Sequence, residues 1–260
     1  MTLTRSGSEI AGYFAEAMAL AADGVAVEGA AIEVCEEDGG PLRKRFNLAP
    51  SRPVLTLAMA PTDSGGMPVF SWKRWGLVPS WAKDPSVGAR MFNARSETVE
   101  TKPSFRAAFK RRRCLVVADG FYEWTPKNRD HQPFHFRSSR GTLLAFAGLF
   151  ESWQGESREG GEVIESCTVL TSEANGDLAG IHHRMPVILD PDRFGSWLDP
   201  DSDPETLKAL TLSAPSGRLE RRAVTRYVND PRRDDERCLE SEPRAEQAEL
   251  FTLGGGQEEF

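Results

Sequence analysis

The sequence predicts an α+β protein built mainly from short strands. Three observations carry that reading. Short β-branched apolar runs bounded by turn residues recur from residue 54 onward, a Gly-rich turn joins two of them as a hairpin, and only a few stretches have helical periodicity. The 260 residues can bury a full core, as one large domain or two small ones. Hydrophobic content is an ordinary 39%, and no apolar run approaches the roughly 18 residues of a membrane span. The first residues lack a basic segment followed by an apolar one, so no secretory signal is expected. Cys35, Cys114, Cys167 and Cys238 are scattered, without CxxC or Cys/His ligand spacing. That argues for a reducing compartment, the cytoplasm, and against a structural zinc site. Neither a metal nor another cofactor is expected.

Ser6 and Glu9 have capping-box spacing ahead of an amphipathic helix with Ile10, Phe14, Ala17 and Ala21 on one stripe, ending near Gly24. Residues 24–42 form an acidic, Gly-containing insertion. A strand from Val54 to Met59 turns at Ser64-Gly65-Gly66 into Val69-Phe70-Ser71-Trp72. The stretch from Trp75 to Lys83 is too punctuated by Gly and Pro for a regular element. A second helix is expected from Pro103, with Phe105, Ala108 and Phe109 inward and Arg106, Lys110 and Arg113 sharing the opposite face. That face is either simply solvated or a phosphate-contacting ridge. Strands follow at Cys114–Ala118, Pro133–Phe136, Leu143–Phe150 and Cys167–Thr171, with turns at 126–132 and 155–161. Helical segments are expected at Phe194–Leu198 and Glu205–Leu212, and a last strand at Arg222–Val228. From Arg237 onward the chain reads as a polar, disordered tail.

Charge is unevenly distributed. The chain carries −7 overall, yet residues 71–140 hold fifteen Lys and Arg against six Asp and Glu. A basic working face on an acidic body fits that asymmetry. Trp75 and Trp81 lie within this stretch, and aromatic residues interleaved with Lys and Arg are what a single-strand groove uses to stack bases while following phosphates. Packing of both indoles onto the core is the competing reading. Glu123 stands between Tyr122 and Trp124 at the end of an apolar run broken by Asp119-Gly120. Partial burial there would raise its pKa and suit it to proton transfer near neutrality, although an edge-strand Glu reaching water is the commoner outcome. Gly120 marks a bulge or a close backbone approach. His182, at the mouth of an apolar strand, is either an acid–base group or a structural histidine.

Six segments occur in a fixed order: Asn47-Leu48-Ala49-Pro50, Trp75-Gly76-Leu77-Val78-Pro79-Ser80-Trp81, Phe92-Asn93-Ala94-Arg95-Ser96-Glu97, Asp119-Gly120-Phe121-Tyr122-Glu123-Trp124, Ala147-Gly148-Leu149 and His182-His183-Arg184-Met185-Pro186. Together they resemble the SRAP family, the SOS response-associated peptidase or abasic site processing proteins, over about residues 2–230. The resemblance implies a single α+β domain over residues 1–236, a curved, mainly antiparallel sheet around a basic single-stranded-DNA cleft with peripheral helices. It also implies a monomer that binds single-stranded DNA containing abasic sites and does not bind membranes. In the family an amino-terminal cysteine forms a Schiff base with the abasic-site aldehyde through its amine. Its thiol then closes a thiazolidine, linking protein and DNA. By resemblance Glu123 assists proton transfer, Asn93 positions the terminus, and His182 assists sugar-ring opening and reversal. Asn47, Pro50, Trp75, Trp81, Arg95 and Arg106 match positions lining the DNA cleft.

One departure matters. The family begins Met-Cys-Gly-Arg and an aromatic residue, whereas this chain begins Met1-Thr2-Leu3-Thr4. The expectation is a start assigned about four residues late, with Met1 at the aromatic position. Retention of Asn93, Glu123 and His182 supports it. A non-covalent single-strand binder using the same cleft is the alternative. A cysteine peptidase, suggested by the family's older name, is the third reading, and it lacks a recognisable Cys–His pair.

Overall fold

The computed structural model describes residues 1–21, 34–62, 65–126, 130–155 and 161–242. Helix α1, Gly7–Ala21, opens with the capping box that the sequence predicts. Glu9 accepts from the Ser6 amide at 2.8 Å, and the Ser6 hydroxyl accepts from the Glu9 amide at 3.3 Å. Its stripe of Ile10, Phe14 and Ala17 is buried.

The strands then follow as β1 (Pro53–Thr62), β2 (Gly65–Trp75), β3 (Asn93–Arg95), β4 (Arg113–Ala118), β5 (Gly120–Trp124), β6 (Pro133–Ser138), β7 (Leu144–Gln154), β8 (Val163–Glu173), β9 (Arg184–Pro186), β10 (Ile188–Leu189) and β11 (Leu219–Ala223). The hairpin is present, with Pro53 opposite Arg74 and Thr62 opposite Gly65. Its two turn residues, like parts of the turns expected at 126–132 and 155–161, lie outside the described residues. So do residues 22–33, which include the first ten residues of the acidic insertion.

β1 pairs with β2 and β4, β4 with β7, β7 with β8, and β8 in parallel with β2. These five strands therefore close into a barrel, which removes the open edges that a flat sheet would expose. β10 extends it beside β7, while β3 and β9 attach to β8. All six residues of β4 are buried, as its unbroken apolar run requires. Helices α2 (Arg106–Arg111), α3 (Phe194–Leu198) and α4 (Pro204–Leu210) are peripheral. Trp197 of α3 donates its indole N–H to the Cys114 carbonyl at 2.9 Å and so seals α3 against β4.

A second sheet, ordered β11-β6-β5, is antiparallel throughout. The Asp119-Gly120 break is the point where the chain leaves the barrel for this sheet. Phe121 stacks on Phe136 at 5.2 Å and meets barrel residue Phe146 edge-on at 5.8 Å. Side chains alternate along a strand, so Glu123 is delivered to the same side as Phe121.

Three expectations need correction. The second helix begins at Arg106, and Arg113 is not on it. Arg113 starts β4, buried, with its guanidinium donating to the carbonyls of Phe109, Lys110, Trp197 and Asp199. A guanidinium satisfied by four carbonyls is structural, so Arg113 leaves the proposed phosphate ridge. The last strand lies earlier than Arg222–Val228, at Leu219–Ala223, and residues Arg226–Asn229 form a 3-10 turn instead. Beyond it Glu236–Leu239 is ordered with Cys238 fully buried. Residues 243–260, most of the expected tail, lie outside the described residues.

Candidate active site

The second half of β8 is the rail on which the site is assembled. β3 lies parallel to it, with Asn93 beside Val169, and β9 lies antiparallel to it, with Pro186 beside Thr171. The turn before β9 carries His182. Arg184 ties these strands together, donating to both carboxylate oxygens of Glu97 at 2.6 and 2.8 Å and to the Thr171 carbonyl. β5, from the second sheet, supplies Glu123 opposite them.

Between these elements is a cavity of about 590 Å³. Its lining includes Met1, Asn47, Pro50, Trp75, Asn93, Glu123 and His182, with Phe121, Phe146, Val169 and Pro186 supplying apolar surface. The Glu123 carboxylate lies 3.8 Å from His182 Nδ1. That nitrogen is also 2.9 Å from the Arg184 carbonyl oxygen and 3.2 Å from the Arg184 amide nitrogen, which holds the ring in place in either tautomer. Trp75 is buried and donates to the Phe92 carbonyl at 2.8 Å. Trp124 donates to Asn229 Oδ1 at 2.8 Å at the opposite rim.

The amino terminus opens directly into this cavity. The Met1 amino group donates to the Leu48 carbonyl at 2.8 Å. Burial lowers its pKa to about 5 against the upward pull of the carboxylates of Asp234, Glu123 and Asp119. Burial raises Glu123 to about 7, against the opposing influence of His182 and the terminal amine. Burial thus disfavours the charge on the amine and on the carboxyl alike. An uncharged amine is a nucleophile toward a carbonyl carbon, and a carboxyl whose pKa is raised toward neutrality can both give and take the protons that such an addition moves.

Of the nine residues singled out from the sequence, Asn47, Pro50, Trp75, Asn93, Glu123 and His182 line the cavity. Arg95 shares the exposed face of β3 with Asn93 but lies outside the lining. Trp81 and Arg106 also lie outside it, both exposed, Trp81 by 64%. Asn47 is held differently from a free DNA contact. It is buried, and its side-chain amide donates to the carbonyls of Val228 and Asp230 at 3.0 and 3.2 Å. Sequence reasoning missed the wall to which those carbonyls belong. Val228, Asn229 and Pro231 line the cavity, and Asp234 accepts from the amides of Phe46 and Asn47 at 2.5 and 2.8 Å. Nothing in a polar stretch of Asn, Asp and Arg signals that it will fold back over residue 47.

None of the cysteines lines the cavity; Cys114, Cys167 and Cys238 are buried. Burial pushes the Cys114 thiol up to about 12 and the Cys167 thiol upward as well, so neither is a nucleophile. Among the described residues no cluster of three or more His, Cys, Asp or Glu could hold a metal ion, and no helix is long and apolar enough to cross a membrane.

The family description "SOS response associated peptidase (SRAP)" matches residues 11–231. The chain is 37% identical over 207 residues to the abasic site processing protein YoaM of Bacillus subtilis, covering 78% of this chain and 87% of that one. It is 38% identical over 189 residues to the abasic site processing protein HMCES of Gallus gallus, covering 64% of this chain and 55% of that one. A crystal structure of a Bordetella bronchiseptica protein superposes with a TM-score of 0.63 at 24% identity, covering 86% of this chain and 98% of that one. The chain belongs to the SRAP family.

Proposed function

We propose that this protein processes abasic sites in single-stranded DNA, with the open-chain aldehyde of the damaged sugar entering the cavity between Glu123 and His182. The observation that carries the reading is the cavity of about 590 Å³ into which residue 1 leads, where the Glu123 carboxylate lies 3.8 Å from His182 Nδ1. The names of the relatives supply the substrate class. In the covalent reading an amine attacks the aldehyde carbon. Water leaves with a proton from Glu123, and a Schiff base remains. A thiol on the adjacent carbon of the same residue then adds across the imine, and its proton passes to the nitrogen to close a thiazolidine. That thiol requires a cysteine with a free amine ahead of Met1. Asn93 would orient the terminus, and His182 would assist sugar-ring opening and reversal. Pro50, Trp75, Trp81, Arg95 and Arg106 would carry the flanking strand, with Asn47 holding the 228–231 wall in place.

The 260-residue chain supports a second reading, non-covalent recognition, because none of its four cysteines reaches the cavity. The same observation leaves the peptidase reading without a nucleophile. One experiment separates them. With abasic single-stranded DNA, a chain extended by Met-Cys-Gly-Arg ahead of Met1, with the initiator methionine removed, should form an adduct that survives denaturing electrophoresis. The 260-residue chain should bind the same DNA, more weakly as salt rises, without forming a thiazolidine. Failure of the extended chain to form an adduct while it binds DNA normally would overturn the covalent reading.

A further inference from the structure

The amino-terminal segment reaches the cavity as an extended stretch held from both sides. On one side the Thr2 amide donates to the Gly120 carbonyl at 2.9 Å and the Asp119 amide to the Thr2 carbonyl at 3.0 Å. On the other, Leu3 and Arg45 exchange amide–carbonyl bonds at 2.8 Å, and the Leu48 amide donates to the Met1 carbonyl at 2.8 Å. Backbone bonds of this kind hold the segment without specifying how far along it is set, because every residue offers the same groups. Leu3, fully buried, decides which face turns inward.

The side-chain contacts decide the rest. The Asp119 carboxylate accepts from the Thr4 amide at 3.0 and 2.7 Å and from the Thr4 hydroxyl. Two residues earlier the Thr2 hydroxyl meets His135 Nε2 at 3.1 Å, and burial keeps that imidazole uncharged, with a pKa lowered to about 3. Asp119 immediately precedes β5, and Glu123 is the fourth residue of that strand. One short element therefore carries both the acid of the site and the carboxylate that grips the terminal segment.

We propose that Asp119 is a positioning residue: through Thr4 it fixes the register of residues 1–4 and so the point at which the amino-terminal group enters the cavity beside Glu123 and His182. The proposal rests on the function proposed above, since it assigns the clamp to that reaction. Asp119 does not line the cavity. Its effect is exerted through the placement of the terminus, and misplacement by about 1 Å can cost on the order of a hundredfold in rate.

The test has two arms. In the 260-residue chain without DNA, amide hydrogen exchange at Thr2, Leu3 and Thr4 should accelerate at least about tenfold in Asp119→Asn and in Thr4→Val, while exchange in β4 and β7 stays as in the parent. In the extended chain, the adduct-forming rate at saturating abasic DNA should fall about tenfold or more in both variants, with the dissociation constant for single-stranded DNA unchanged. Thr4→Ser, which restores the hydroxyl, should recover the parent rate. Unchanged exchange at residues 2–4 overturns the clamp. So does accelerated exchange with a parental adduct rate, or a Thr4→Ser rate as slow as that of Thr4→Val. An extended parent that forms no adduct overturns the proposed function instead, and the two failures are distinguishable because the exchange arm needs no DNA. Should Asp119→Asn fail to fold, Thr4→Val alone decides the matter.

Discussion

Burial raises the Glu123 carboxyl to about 7, so the folded chain holds this proton more tightly than the unfolded chain, in which the carboxyl titrates near its ordinary 4.5. Stability from this group is then fully present below about pH 4.5 and is lost as pH rises toward 7. Glu123→Gln is uncharged at every pH and removes the loss. It should leave stability at pH 4 unchanged and raise it at pH 8 by on the order of 2 kcal/mol, read from urea unfolding. A variant less stable than the parent at pH 8 would mean that His182 and the terminal amine overcompensate the desolvation. A site that weakens its own fold at working pH is a common cost of a tuned catalytic group. The role of Glu123 is half legible in the sequence. Its place at the end of an apolar run leaves burial and exposure both open, with exposure the commoner outcome, and the groups that oppose its raised pKa come from residues 1 and 182, invisible to local pattern.

Gly120 shows what the sheet elements require of single residues. A Cβ placed there would stand 2.3 Å from His135 Nε2 and 2.6 Å from the Phe136 carbonyl oxygen. The second contact is with backbone that cannot swing away. Gly120→Ala should therefore destabilise the fold by about 1–3 kcal/mol, measured by thermal unfolding. An unchanged transition would show that β5 and β6 can separate without penalty. The close approach expected at this glycine is thus observed. Capping at Ser6 and Glu9 and the β1–β2 hairpin are equally readable, because each depends on neighbours in sequence. The closure of five strands into a barrel depends on β1 meeting β4 and β8 meeting β2, pairings between residues distant in sequence that no local signal encodes. Arg113 departs from its expected place for a related reason. Helical spacing puts it with Arg106 and Lys110, but the helix ends at Arg111, where Phe109 packs against Trp197, and Arg113 already begins β4.

At the scale of the molecule, among the described residues, two cavities of similar size adjoin the second sheet. The candidate active site holds about 590 Å³ and contains Glu123 and His182. The other cavity, about 540 Å³, is lined by Thr2, His135, Arg137, Arg222 and neighbouring polar residues. Volume does not choose between them, and basic charge alone would favour the second. The choice rests on chemistry: the first joins the amino terminus, the raised carboxyl and the histidine in one apolar-floored space. Amide hydrogen exchange with and without an abasic single strand discriminates between the two cavities. New protection is expected at residues 47–50, 92–95, 121–124 and 182–186, lost when the abasic strand is competed away. Protection confined to residues 135–142 and 218–222 would put the DNA at the other cavity and contradict the assignment of Glu123 and His182 to the reaction.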